Sequence, residues 1–193
     1  MYRSIRLIAP FLLALAAAAC SKAPVAAPPA AAVLPGPVPV ASVLDLMAGQ
    51  LAPTADFLWG AVGETSGPKG PIEKQPHTDQ EWGEVRRQAL LLAETANLLA
   101  QEGRVVAHPG QKFLNPPGPG DLSPEASQAL IAAERGTWLA YALALQGSAV
   151  ATIKAIDARD VDAFTEAGGA IDEACEACHK KFWYPEAAAP PGT

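Results

Sequence analysis

The chain has 193 residues, of which 50% are hydrophobic, and a formal net charge of −6. The hydrophobic share is inflated by an Ala-rich leader and linker, so it does not point to a membrane-spanning protein, and what remains is enough for one domain with a proper core over 40–185. Without Arg3 and Arg6 of the leader, 12 basic side chains face 20 acidic ones, a balance of −8 that disfavours a nucleic-acid partner.

Residues 1–19 read as an export signal: Arg3 and Arg6 form a basic start, and Leu7 to Ala19 an apolar run too short to span a bilayer comfortably. Cys20 follows directly, in a context that resembles the lipobox of bacterial lipoproteins, where the cysteine becomes the lipidated N-terminus. Ordinary secretory cleavage at Ala17-Ala18-Ala19 is the competing reading. Residues 23–41 are almost wholly Ala, Pro and Val, a composition that cannot bury a core and favours polyproline II. At about 3.1 Å per residue, such a spacer reaches roughly 60 Å.

The first helix is expected from Val40 to Val62, with Val40, Leu44, Met47, Leu51, Thr54 and Leu58 at steps of three and four, and with Gly49 and Pro53 weakening its middle. A Gly/Pro-rich connection, 63–79, holds His77 in a loop. The second helix starts near Thr78 or Asp79, with Glu81 in its first turn, and its stripe is Trp82, Val85, Ala89, Leu92, Ala96 and Leu99. A second long loop, 104–122, carries His108, Lys112 and Phe113, with His108 facing solvent. The third helix opens with Ser123 as N-cap and Pro124 at its first position, and turns Ile131, Trp138, Leu145, Ile153 and Ile156 inward. Asp160 caps the fourth. No hairpin signal, phosphate loop, metalloprotease helix or nucleophile elbow is legible.

On the fourth helix Val161, Phe164, Gly168, Ile171, Cys175, Cys178 and Phe182 form the apolar face. The last part reads Cys175-Glu176-Ala177-Cys178-His179, the spacing that lets two thiols add to the vinyl groups of one porphyrin while the adjacent imidazole reaches its iron. A zinc site would need four ligands, and His77 and His108 stand alone without a second cysteine pair. A thioredoxin-like pair would call for a β-α-β context that is missing here. Two cysteines given to haem leave Cys20, an exposed thiol in an oxidising compartment unless lipidation caps it.

With the motif near the C-terminus, the chain resembles the class II cytochromes c, the cytochrome c-prime group and its low-spin relatives. The match runs from Asp162-Ala163-Phe164 to Phe182. The resemblance implies an all-α, antiparallel (up-down) four-helix bundle with one covalent haem c on the C-terminal helix. By it, Cys175 and Cys178 are the thioether residues and His179 the axial ligand. In low-spin relatives a methionine on the first helix is the sixth ligand, which makes Met47 the candidate; simple core packing is the competing role. With Met47 bound, the protein would be a one-electron carrier rather than an enzyme. With the position open, it would bind nitric oxide or carbon monoxide. The expected organisation is then a signal 1–19, a linker 20–39, a cytochrome domain 40–185 and a tail 186–193, lipid-anchored in the periplasm through Cys20, with an unidentified redox partner and homodimerisation left open.

Overall fold

The computed structural model describes Gly36, 38–113 and 118–185. The signal segment, Cys20, most of the linker and the tail 186–193 lie outside the described residues. Those described are mostly helical, with one small antiparallel sheet.

The first helical stretch begins at α1 (Val43–Leu46), passes through a π-helical segment (Met47–Leu51) and continues as α2 (Ala52–Trp59). It is shorter at both ends than its periodicity predicts. Ser42 supplies the start: its hydroxyl accepts from Asp45 N–H, and the Asp45 carboxylate accepts from Ser42 N–H at 2.8 Å. The π turn has a local cause. Pro53 has no N–H to give the preceding turn and its ring crowds a carbonyl four residues back, so the hydrogen bonding widens there, with Ala52 N–H reaching Met47 C=O.

Residues 63–74 depart from the expected loop. Strands β1 (Gly63–Gly67) and β2 (Gly70–Lys74) pair antiparallel, Gly63 opposite Lys74 and Gly67 opposite Gly70. Gly63 and Gly70 supply positive φ values of 128° and 119° at the base and the turn. The hairpin is solvent-exposed almost throughout, so it shows no apolar alternation by which it could be read from sequence.

Helix α3 (Asp79–Leu99) starts in a capping box between Thr78 and Glu81, and all six residues of its predicted stripe are buried. The predicted third helix is two: α4 (Pro124–Ala133) and α5 (Arg135–Ala158), separated at Glu134, whose φ/ψ of −120°/44° leaves the helical region. Contacts from other elements hold that break. Lys181 Nζ donates to Glu134 Oε1 at 2.7 Å, and Arg135 donates to the Ala100 carbonyl. Helix α5 is apolar and long enough to cross a membrane by composition, yet one face of it, including Trp138, Leu145, Ala149 and Ile156, is buried. Helix α6 (Val161–Phe182) is capped by Asp160, which accepts from Ala163 N–H at 2.9 Å.

α3 packs on α2 and α5, α5 on α6, and α6 back on α2, closing a ring of contacts around one core. Cross-helix bonds give the directions. Arg86 meets Asp157 while Asn97 meets Gln146, so α3 and α5 run antiparallel; Trp59 Nε1 donates to Gly168 C=O at 2.9 Å, tying α2 to α6. Phe164, in the first turn of α6, and Ile171, at its middle, are both 0% exposed.

Candidate functional site

One end of this ring opens into a cavity of about 580 Å³, in the size range of small-molecule and cofactor sites. Several elements build it, α1, α3, α4 and the loop after α3 among them. The π segment brings Met47 and Leu51, α2 brings Trp59, α5 brings Tyr141 and Leu145, and the last two turns of α6 bring Cys175, Cys178 and His179. All four side chains singled out from the sequence therefore line one space. His77 is exposed in the turn before α3 and does not line it. His108 does not line it either, and it is less free than expected: its Nε2 lies 3.1 Å from Val40 C=O and 3.4 Å from an Asp45 carboxylate oxygen.

The wall is nearly all apolar, and its chemistry follows from burial. Desolvation pushes the Cys175 thiol up to about 11, helped by the charge of Asp172, and the Cys178 thiol up to about 12, with Cys175 adding to it. Both therefore stand as neutral thiols at physiological pH. Burial lowers the pKa of His179, against the smaller opposing pull of Glu176, and so keeps its imidazole neutral with a lone pair to give. Trp183 crosses the His179 ring edge to face at 5.1 Å and limits how it can turn. Phe182 is held beneath by Trp138 at 5.3 Å and Tyr141 at 6.1 Å, both edge-on.

Among the described residues no group of three or more His, Cys, Asp or Glu side chains is placed to hold a bare metal ion. Of the residues lining the cavity, His179 and Met47 could give iron one imidazole and one thioether, the number of protein ligands that a porphyrin iron takes, with the Cys175 and Cys178 thiols beside them. The two thiols, three residues apart on the same wall, have the spacing for a macrocycle's vinyl groups. The apolar lining and the volume fit a flat hydrophobic group.

Sequence reasoning missed the loop between α3 and α4, the crossover loop, as part of the wall. Phe113 stacks on Trp183 at 6.1 Å and 10°, and Gln111 ties Ser42 and Asp45 to the same corner. No hydrophobic period marks such loop residues; the Phe beside Lys112 in a Pro/Gly stretch is the one visible trace. Compared with models of protein families, with curated proteins and with solved structures, the chain matches none.

Proposed function

We propose that the domain is an antiparallel four-helix bundle of the class II cytochrome c kind that carries one haem c through Cys175 and Cys178, with His179 as axial ligand, and serves in one-electron transfer. Met47 carries the choice of electron transfer: it comes from a different helical segment than His179, yet both line the same cavity. A bound haem would supply the one-electron iron couple. The chain's own part is to hold a neutral imidazole at one ligand position, offer a thioether for the other, and keep the space between them dry with Leu51, Trp59 and Leu145. Thioether ligation raises a haem potential and closes the iron to outside ligands. Export and anchoring through a lipidated Cys20 belong to the same proposal. They would confine the domain to a membrane surface in the periplasm, where redox partners are concentrated.

The test is absorption spectroscopy of the full chain, oxidised, reduced, and reduced with carbon monoxide, in wild type and Met47→Ala. Electron transfer through a Met47-ligated iron predicts a low-spin spectrum indifferent to carbon monoxide until Met47 is removed. A wild type that binds carbon monoxide, unchanged by Met47→Ala, would make Met47 a core residue and the protein a gas-binding haem protein. Replacing Cys175 and Cys178 together by Ser must abolish haem that survives denaturing electrophoresis.

A further inference from the structure

Trp183 Nε1 is buried and has no hydrogen-bond acceptor among the described residues, the one side-chain nitrogen or oxygen there of which this is true. A buried indole N–H without a partner is costly, and the other indoles of the cavity wall have theirs: Trp59 donates to Gly168 C=O and Trp138 to Leu99 C=O, each at 2.9 Å. The Trp183 ring is held on several sides. Phe113 stacks on one face, His179 and Tyr184 pack at 5.1 and 5.4 Å, and the Trp183 carbonyl accepts from Leu122 N–H at 2.7 Å. Phe113 and Leu122, both of the crossover loop, thus hold Trp183.

Two acids stand in the wall: Asp56 on the α2 side, and Asp45, which Gln111 ties to this corner and which accepts from Ser42 and Gln111. Among the described residues Lys112, next to Phe113, is the sole Lys or Arg lining the cavity, and it is exposed and makes no ion pair. An anion entering with an apolar body would be repelled at Asp56 and drawn to Lys112. From the buried donor and the neighbouring cation, and resting on the haem reading of the site, we infer that the Phe113–Trp183 corner seats a carboxylate of the bound group, with the Trp183 indole donating to it and Lys112 as its counter-charge. The strong peripheral hydrogen-bond acceptors of a haem are its propionate carboxylates, so this corner would set which edge of the macrocycle faces the crossover loop. Trp183 is thereby a positioning residue, not an iron ligand.

The experiment uses the full chain produced in a bacterium that attaches c-type haem. Mass measurement under denaturing conditions first establishes covalent haem in wild type. Resonance Raman spectra of wild type, Trp183→Phe and Lys112→Met then follow the propionate bending band, and proton NMR follows the Trp183 indole N–H, assigned by its loss in Trp183→Phe. The band is expected to shift in both variants. The indole N–H of the loaded wild type should exchange with solvent about tenfold more slowly than that of the haem-free Cys175→Ser/Cys178→Ser chain, as befits a hydrogen bond to a charged acceptor. Should Trp183→Phe fail to fold, the exposed Lys112→Met and the exchange rate still decide. Covalent haem with an unmoved band in Lys112→Met and a freely exchanging indole overturns this inference alone. A wild type without covalent haem overturns the reading of the site and this inference with it.

Discussion

At the scale of single residues, the two thiols and the imidazole bracket the pH range in which the haem-free domain holds together. Cys175 and Cys178, ordinarily near 9.0, are raised to about 11 and about 12 by burial. Above pH 9 the unfolded chain sheds these protons while the folded chain keeps them. Stability is therefore full below pH 9 and is lost as pH climbs toward 11–12. His179 acts at the other end. Its depressed pKa means that the unfolded chain takes up a proton first, so stability falls as pH drops below the ordinary value of 6.5. Urea midpoints of the haem-free chain across this range should fall on both sides of neutrality, and Cys175→Ala/Cys178→Ala should flatten the alkaline limb. An alkaline limb unaltered by that double change would mean that the thiols do not titrate as buried groups. The same burial keeps thiolate scarce, so alkylation of the folded haem-free chain at pH 7.5 should be far slower than that of the urea-unfolded chain.

At the scale of elements, hydrophobic stripes and caps were readable because they are local. The Trp82 to Leu99 stripe, the Thr78 and Ser123 caps and the Asp160 cap of α6 all lie where residue type and spacing put them. Removing the last, Asp160→Ala, should cost about 1 kcal/mol in a denaturation curve, the usual loss of a side-chain cap. What could not be read is what depends on distant partners or on backbone alone. The break at Glu134 is held by Lys181 and by the Ala100 carbonyl, and the 63–74 hairpin buries almost nothing, so its strands carry no apolar alternation. The Pro53 π turn was legible only as a weak point in the first helix, though the side chains it presents to the cavity include Met47. Because the hairpin adds little burial, replacing 64–73 by a short Gly-Ser connection should leave stability within about 0.5 kcal/mol of wild type. A larger loss would show that the hairpin supports α2 or α3.

At the scale of the whole molecule, the stability of the domain and the position of its cavity share one cause. Phe164 is fully buried on α6, 6.5 Å from Trp82 of α3, and the α6 that it anchors runs on to Cys175, Cys178 and His179 at its other end. Phe164→Ala should cost about 3–5 kcal/mol by the cavity that it leaves. It should also loosen the cavity wall about three turns and more away, since α6 packs on both α2 and α5. The proposed address signals are predicted to be separable from this. The buried core begins at Ser42 and Val43, and Val40 is 85% exposed. A chain starting at Val38 should therefore unfold at the same temperature as the longer chain and give the same absorption spectrum. Cys20→Ala, with everything after it intact, should move the protein from the membrane to the soluble fraction and leave the spectrum unchanged. Unaltered membrane association in Cys20→Ala would remove the lipid anchor from the proposed function, whereas an altered spectrum in the Val38 chain would mean that the linker takes part in the site.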